Sequence, residues 1–310
     1  MYKGRTICVV VPAFNEELLI EKTVTMMPNF VDRIIVVDDR STDRTAEVVA
    51  AIEDSRVSLV RHEVNSGVGA AILTGHKRAI ELGGDIDVVM AGDAQMNPDY
   101  LAPLLDPIID DGYGFTKANR FFSRNSYEGM PAHRVFGNVV LSFMTKVASG
   151  YWHLFDPQNG YTAVTQDVLR RLSLDRIATG YQFENDFLIN LSILNVRAKD
   201  VPIPAIYGSE VSGIRLSRVI PAIASLLFRG FWRRIFFKYV LWSFSPIALL
   251  LFTGLFLCLF GLGWGIYDIV SALSNTSPTA GTVLLSVGPG MTGIYMLVQA
   301  LVLDILATPD

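Results

Sequence analysis

The sequence predicts an α/β domain with a mostly parallel sheet, followed by two apolar helices of membrane-spanning length. Strand-length apolar runs alternate with helical patterns from Thr6 to about Pro204, which is typical of βαβ units. Polar clusters follow these runs, and residues 239–266 contain no charged residue. A bilayer-spanning helix needs about 20 mainly apolar residues, so this second part is long enough.

Four short apolar runs predict strands at residues 7–12, 32–37, 57–62 and 86–91. Helical patterns follow them at residues 16–26, 42–51, 68–82 and 99–110. Ser41 or Thr42 is the expected N-cap of the second helix, and Gly83 with Gly84 is expected to end the third. The alternation implies helices on both faces of the sheet, with ligands bound at the carboxyl ends of the strands.

Composition excludes several other classes of protein. The formal charge of -4 gives no hint of nucleic acid, whose partners usually show a basic face. The 2 cysteines lie far apart in apolar stretches, and the 4 histidines lack zinc-ligand spacing, so neither a disulfide framework nor a structural zinc site is expected. The apolar run 7–11 is followed by Pro12 and the polar Asn15-Glu16-Glu17, which favours a first strand over a signal peptide.

Two uncharged stretches predict transmembrane helices at about residues 239–266 and 282–303. The first contains Pro246 near its start, and Gly288-Pro289-Gly290 is expected to kink the second. The alternative is a pair of buried core helices.

Arginine and lysine residues predict the orientation of these helices. Arg229, Arg233, Arg234 and Lys238 precede the first stretch, whereas the loop between the two stretches has no Lys or Arg. The positive-inside rule therefore predicts that both termini are cytoplasmic. Residues 215–238 mix Leu, Phe and Trp with arginines, which indicates one or two amphipathic helices in the headgroup layer. A helix packed only on the preceding domain is the alternative.

Known nucleotide-binding glycine motifs do not fit the loops at the strand ends. "PAFNEE" has no glycine where G-x-G-x-x-G would stand, and no P-loop occurs. "NSGVGAA" does follow a strand and open a helix, but such glycines alone can simply permit a tight turn.

The ordered set "VVVPAFNEE", "VVDDRSTDRT", "NSGVGAA", "GDAQMNPD", "ANR" and "DPQNGYTA" resembles the family 2 glycosyltransferases of GT-A fold. Within that family it is most similar to dolichyl-phosphate mannose synthases and bacterial polyprenyl-phosphate glycosyltransferases. The resemblance implies a Rossmann-like, mostly parallel sheet in a cytoplasmic catalytic domain, residues 1–214. It also implies juxtamembrane helices at 215–238 and two transmembrane helices within 239–310.

The resemblance implies a nucleotide-sugar site built from several loops. It assigns base and ribose contacts to Pro12, Phe14 and Glu16, and base-edge contacts to Val37 and Asp39. The carboxylate of Asp39 can only accept hydrogen bonds, so it suits a nucleotide base with a ring N–H. The alternative is that Asp39 lies in a solvated turn or supplies a negative charge at a helix N-terminus. The remaining contacts with the nucleotide-sugar, including the sugar pocket, are implied for Gly67, Gly92, Asp93, Asp156 and Asn159.

The family carries two aspartates, one residue apart, in its metal site, and this chain has one. Alignment on Gln95 and Pro98 places Ala91 at the first aspartate and Asp93 at the second. In an extended segment Asp93 and Gln95 would leave the same face and offer Mg²⁺ or Mn²⁺ a carboxylate and an amide oxygen. Substrate phosphates and water would complete the coordination. A site with poor metal affinity, or a relic, is the alternative.

On the acceptor side the resemblance implies phosphate contacts by Arg120 and Arg134, for which surface salt bridges are the alternative. Glu184 and Asp186 match carboxylates that orient an acceptor hydroxyl or act as a base. Carboxylates in a first helical turn are also common for structural reasons.

The chain departs from the family after the last strand of the domain. Ser212 matches the family pattern, but Gly213 stands where lysine is expected. Arg215 and Arg218 replace that lysine only by approximate position.

The resulting hypothesis is an inverting transfer of one sugar from a UDP- or GDP-linked donor to a membrane polyprenyl phosphate. Its partners would be the donor, the lipid acceptor and the bilayer, with a homo-oligomer left open. One alternative is a glycosyltransferase acting on a lipid-linked or polysaccharide hydroxyl. The other is a non-catalytic, membrane-anchored protein that binds nucleotide-sugar through a degenerate site.

Overall fold

The computed structural model describes residues 1–122, 132–204, 216–274 and 277–309, and only the backbone of residues 132–135 and 216–219. The chain divides into two compact units, which are described separately. Met1–Phe231 forms the first unit, and Trp232–Thr308 forms the second.

The first unit is built on a seven-stranded sheet with the order β3-β2-β1-β4-β6-β5-β7. Only β6 is antiparallel to its neighbours, so the expected mostly parallel sheet is confirmed. The strands are β1 Ile7–Ala13, β2 Arg33–Asp38, β3 Val57–Arg61, β4 Ile86–Val89, β5 Phe115–Asn119, β6 Thr162–Thr165 and β7 Ala198–Pro202.

Helices cover the sheet, as the sequence predicts. They are α1 Ile20–Thr25, α2 Thr45–Ala50, α3 Val68–Glu81, α4 Leu101–Asp111, α5 Ala132–Ser149, α6 Gln166–Arg171, α7 Phe183–Ile193 and α8 Leu216–Arg234. Helix α3 lies close to β1 because Gly75 faces Val10, whose side chain a Cβ at this position would overlap. All seven residues of β1 are buried, since helices cover both faces of a central parallel strand.

The first two helices are shorter than predicted, and the expected cap is wrong. The N-cap residue of α2 is Arg44, without a side-chain cap, rather than Ser41 or Thr42. The Ser41 hydroxyl instead accepts a hydrogen bond from the Asn15 backbone N–H (2.9 Å). Thr45 Oγ1 accepts from the Glu16 N–H (2.8 Å). These bonds join the two loops after β1 and β2, which local sequence patterns do not reveal.

The second unit contains two long apolar helices, α9 Pro246–Leu273 and α10 Ala280–Leu306. Their most apolar windows have mean hydropathies of 2.3 and 1.5 and are only 22% and 17% buried. A core helix of a soluble protein would be mostly buried, so these are candidate membrane spans. Helix α10 continues through Gly288, Pro289 and Gly290, where the sequence predicts a kink.

Glycines allow α9 and α10 to pack closely. A Cβ on Gly254 would lie 3.0 Å from the carbonyl oxygen of Gly293, and one on Gly293 would lie 2.7 Å from that of Gly254. A Cβ on Gly261 would lie 2.5 Å from the carbonyl oxygen of Ser286. Small residues at such contacts are typical of membrane helix pairs, where backbone approach supplies the packing energy.

A buried ion pair joins the two ends of the second unit. Arg234 is fully buried and donates from Nη1 and Nη2 to the two carboxylate oxygens of Asp304, at 2.6 and 3.0 Å. The Tyr239 hydroxyl, in the π-helical segment Ile235–Leu241, donates to the same carboxylate at 2.5 Å.

Helix α8 is one continuous helix and has apolar residues on more than one face. Ile223 and Leu227 are buried in a cluster with Ile189 of α7, whereas Ile220 and Phe228 are 60% and 67% exposed. The helix therefore packs on the domain through one face and leaves apolar side chains exposed elsewhere. Its place in a headgroup layer remains a prediction.

Candidate active site

A cavity of about 380 Å³ opens at the carboxyl ends of β1, β2 and β4, and we call it the strand-end cavity. Parallel strands bring their carboxyl ends to one edge of the sheet, so loops distant in sequence meet there. Six of the residues expected to bind the nucleotide-sugar line this cavity: Pro12, Phe14, Glu16, Asp39, Gly67 and Gly92.

Asp39 organises one wall of the strand-end cavity. Its buried carboxylate accepts hydrogen bonds from the backbone N–H groups of Ser66 and Gly67, at 2.9 and 2.8 Å. His62 Nδ1 is 2.7 Å from the same carboxylate. Because a carboxylate has about four acceptor positions, these contacts leave room for one donor from a ligand.

Val37 does not reach the cavity with its side chain. It is fully buried in a cluster with Cys8 and Ile35 on the sheet. Its side chain therefore does not make the base-edge contact that the resemblance implies, and its backbone is paired with β1 and β3.

The glycines of "NSGVGAA" allow a close approach between two loops. Gly67 has a φ of +93°, and a Cβ there would lie 2.9 Å from the carbonyl oxygen of Thr179. A Cβ on Gly69 would lie 2.7 Å from Cβ of Phe183. The segment before α7 can therefore close the cavity, to which it contributes Tyr181.

Among the lining residues that the motifs did not assign to the site, two have polar or aromatic side chains that can contact a ligand. Asn65 and Tyr181 both line the cavity, and Tyr181 is 50% exposed beside the 46% exposed Phe14. Two exposed aromatic rings that line this cavity can stack on a planar base. The signal available in the sequence was the aromatic Tyr181 in "GYQFEND", shortly before Glu184 and Asp186.

The segment around Asp93 is a turn, so the extended geometry expected from the sequence is wrong. Strand β4 ends at Val89, and Ala94 has a φ of +54°. The Gln95 backbone N–H donates to Asp93 Oδ1 at 3.0 Å and closes the turn. The turn removes the reason for expecting both side chains on one face.

Asp93 retains the properties of a single-carboxylate metal ligand. Burial raises its pKa, and the Gln95 N–H opposes this shift. A divalent cation would stabilise the ionised form that burial disfavours. Among the described residues, no group of three or more His, Cys, Asp or Glu side chains could hold a metal. Substrate phosphates and water would therefore have to supply most of the coordination, which magnesium sites commonly accept.

Arg120 and Asp156 form a bidentate ion pair. Arg120 Nε and Nη2 lie 2.7 and 2.8 Å from the two carboxylate oxygens of Asp156. Asn159 Nδ2 is 3.4 Å from the same group. The pair holds the pKa of Asp156 below its usual value against the opposing effect of burial. Three of the predicted site residues are thus brought together, with Asp156 directed at the arginine.

Glu184 lies beside the glycine of "DPQNGYTA". A Cβ on Gly160 would be 3.8 Å from Glu184 Oε1 and 3.8 Å from Met96 Cε. Although the side chain keeps some solvent exposure, protein surrounds the carboxyl group. This burial raises its pKa to about 7, while its own backbone N–H and Lys117 oppose the shift. Glu184 is therefore poised to exchange a proton near neutral pH.

Asp186 is turned away from the cavity. It is buried, and its carboxylate accepts a hydrogen bond from the Ala178 backbone N–H at 2.9 Å. Asn190 Nδ2 donates to it at 3.3 Å. These contacts support its structural alternative, a carboxylate that fixes the loop before α7.

The remaining acceptor-side residues lie outside what the structure describes. Arg134 belongs to α5, but its side chain is not described. Ser212, Gly213 and Arg215 fall in the undescribed segment 205–215, and of Arg218 only the backbone in α8 is described.

Comparison with known proteins agrees with this geometry. The family model of glycosyl transferase family 2 matches residues 8–173. The chain is 32% identical over 249 residues to the UDP-N-acetylglucosamine–dolichyl-phosphate N-acetylglucosaminyltransferase of Methanococcus voltae, covering 76% of this chain and 96% of that protein. It is 28% identical to the undecaprenyl-phosphate mannosyltransferase of Micrococcus luteus, covering 63% of this chain and 81% of that one.

Solved structures show the same fold. Glucosyl-3-phosphoglycerate synthase from Mycobacterium tuberculosis, in complex with Mn²⁺, UDP-glucose and phosphoglyceric acid, superposes with a TM-score of 0.56 at 23% identity. The similarity covers 74% of this chain and 80% of that structure. The sheet, the strand-end cavity and the matched residues together place the chain in glycosyltransferase family 2, as a glycosyltransferase of GT-A-like fold.

Proposed function

We propose that this enzyme transfers one sugar from a nucleotide-sugar to a membrane polyprenyl phosphate, with inversion at the anomeric carbon. The observation that carries the proposal is the strand-end cavity, lined by six residues of the matched motifs in a chain that also has two candidate membrane spans. The names of the Methanococcus and Micrococcus relatives support a lipid-phosphate acceptor. They also make UDP-N-acetylglucosamine the first donor to test.

In the proposed reaction an oxygen of the acceptor phosphate attacks the anomeric carbon. The bond from that carbon to the nucleoside diphosphate breaks, and the electron pair leaves with the diphosphate. A phosphate acceptor is already an anion at neutral pH, so it needs little help from a base. Positioning and stabilisation of charge on the leaving diphosphate are then the main tasks of the protein.

The donor base would enter between Phe14 and Tyr181, with Asp39 accepting a hydrogen bond from a ring N–H. The close packing of Gly67 against Thr179 would hold this wall in place. Arg120, oriented by Asp156, would supply positive charge to the phosphates. Arg134 is proposed as a second phosphate contact.

Asp93, with Gln95 as a second ligand, would hold Mg²⁺ or Mn²⁺, and this cation would neutralise charge on the donor diphosphate. The single carboxylate is a sparse ligand set that fits a metal bound mainly through substrate phosphates. The absence of a second carboxylate predicts weak metal affinity before the nucleotide binds.

We further propose that α9 and α10 span the membrane with both chain termini and the catalytic domain in the cytoplasm. The basic residues before α9 support this orientation through the positive-inside rule. The exposed Ile220 and Phe228 of α8 would contact the headgroup layer, in keeping with a juxtamembrane region at 215–238. Such anchoring would confine the enzyme and its lipid acceptor to one surface.

The test incubates membranes containing the protein with polyprenyl phosphate and a panel of radiolabelled UDP- and GDP-sugars. The expected result is one labelled lipid whose sugar–phosphate bond is cleaved by mild acid. Asp93→Asn should lose most of this activity, whereas the exposed Asp167→Asn should retain it. Failure to label polyprenyl phosphate with any donor would refute the proposed acceptor.

A hydroxyl acceptor is the second candidate, and the raised pKa of Glu184 favours it. A hydroxyl needs a base, which contributes about 10²–10⁴-fold to such reactions. Glu184→Gln should therefore abolish transfer to a hydroxyl but preserve most of the transfer to a phosphate. Asp186→Asn serves as the matched carboxylate control, because Asp186 faces the Ala178 backbone.

A further inference from the structure

A buried lysine lies beneath the Arg120–Asp156 pair and belongs to none of the motifs discussed above. Lys117 is on β5 and is 1% exposed. Its Nζ donates to the carbonyl oxygens of Phe155 (2.7 Å), Asp156 and Ala118 (3.4 Å). An ammonium group has three N–H donors, so each of them has a backbone acceptor.

Asp200 holds the same loop from the neighbouring strand. It stands opposite Lys117 in the β5–β7 register, and its Oδ1 is 3.9 Å from Lys117 Nζ. Its Oδ2 accepts hydrogen bonds from the Phe155 backbone N–H (2.6 Å) and from Asn119 Nδ2 (3.0 Å). Lys117 and Asp200 therefore bind the carbonyl and the N–H of one residue.

The backbone that follows Phe155 requires such support. Asp156 has a φ of +51°, in the left-handed region that residues other than glycine rarely adopt. This conformation turns its carboxylate toward Arg120, with which it pairs at 2.7 and 2.8 Å. The Arg120 backbone N–H also donates to this carboxylate, at 3.2 Å.

We propose that Lys117 and Asp200 are a positioning pair that fixes the backbone at residues 155–156 and thereby orients Arg120 for sugar transfer. Within the described residues, Lys117 directs its donors at backbone carbonyls, and it does not line the strand-end cavity. Its effect on Arg120 therefore passes through Asp156. The role of Arg120 in sugar transfer rests on the proposed function. The contacts that fix the position of Arg120 do not depend on it.

The kinetic test replaces Lys117 with methionine, which keeps the apolar length and removes the donors. The expected result is a loss of about 10–100-fold in kcat, since a small displacement of a catalytic group has such an effect. The affinity for UDP should change less than about threefold, because Lys117 is outside the cavity. Lys199→Met is the matched control, since Lys199 lies on β7 beside Asp200 and 43% of its side chain is exposed. It should leave kcat unchanged.

A double variant separates positioning from general damage. If Lys117 acts through Arg120, Lys117→Met should add little to the loss caused by Arg120→Ala. Asp200→Asn, which preserves side-chain size, should show a smaller loss in kcat with the same dependence on Arg120. Additive losses, or a parallel loss of UDP affinity, would overturn the proposal.

A second readout is independent of activity. The Nε–H group of Arg120, held in a bidentate pair, should give a sharp and slowly exchanging arginine side-chain NMR signal. This signal should broaden or vanish in Lys117→Met. Arg56 lies outside the site and is bidentate with Asp54, from Nε to Oδ1 (3.1 Å) and from Nη2 to Oδ2 (2.7 Å), so it should keep its signal and serves as the internal reference. An unchanged Arg120 signal would contradict the proposal even if the wild-type enzyme proved inactive toward polyprenyl phosphate.

Discussion

Replacement of Glu184 by glutamine should stabilise the protein at pH 8 and have much less effect at pH 5. In the folded protein, burial raises the pKa of Glu184 from 4.5 to about 7. Between these two values the folded state holds a proton that the unfolded state has released. Stability therefore falls as the pH rises from about 4.5 to 7 and stays lowered above that range. Glutamine carries no charge, so it removes this dependence.

The magnitude follows from the shift in pKa. Each unit corresponds to about 1.4 kcal/mol, so a rise from 4.5 to about 7 gives roughly 3 kcal/mol at pH 8. Allowing for the partial exposure of the side chain, we expect a gain of about 2–3 kcal/mol at pH 8 and below about 1 kcal/mol at pH 5.

The assay compares thermal or denaturant unfolding of the purified wild-type protein and Glu184→Gln at the two pH values. The control is Glu81→Gln, because Glu81 is 63% exposed and paired only at the surface with Arg78. This variant should change stability by less than about 0.5 kcal/mol at either pH. Equal stabilisation by Glu184→Gln at pH 5 and pH 8 would refute the reasoning from the pKa. Destabilisation at pH 8 would also refute it, because it would mean that the charged carboxylate stabilises the folded protein.

Three further predictions address other parts of the molecule. Ala91→Asp restores the second aspartate beside Asp93 and should tighten Mn²⁺ binding about tenfold or more with activity retained, because the charge of the ligands sets such affinities. A Mn²⁺ titration without any change in affinity would argue against a metal at this turn. Gly67→Ala should destabilise the protein by about 1–3 kcal/mol, because of its φ of +93° and a 2.9 Å contact, and should weaken UDP binding in a calorimetric titration. Arg234→Met should lower the free energy of unfolding in detergent by about 3–5 kcal/mol, because it leaves the buried charge of Asp304 unpaired. A second change, Asp304→Leu, should restore much of this stability. If the double variant is no more stable than the single one, the unpaired charge is not the cause of the loss.

Several elements of the first unit follow from local sequence patterns. Strands β1 to β3 lie within a residue or two of their predicted positions, because buried parallel strands are short apolar runs bounded by polar loops. The polar loops were expected at one edge of the sheet, and the strand-end cavity lies there. The apolar helices α9 and α10 follow from composition alone, although α9 begins at Pro246 and therefore later than expected.

The partners of the site residues could not be predicted in the same way. The hydrogen bonds of Asp39 and the burial of Lys117 both depend on segments far apart in sequence. The geometry at Asp93 differs from the prediction for a local reason, since the sequence predicts an extended segment where a turn closes on Asp93.

The sequence by itself determined the mostly parallel α/β fold, the family and the loops that form the site, since periodicity and motif order are local properties of the chain. The tertiary structure alone decided how the charges are paired. It directs Asp186 to a backbone amide, surrounds Glu184 with protein and joins Arg120 to Asp156 above a buried lysine. The physical reason is that desolvation and ion pairing depend on three-dimensional surroundings, which residues 8 to 81 positions apart create together.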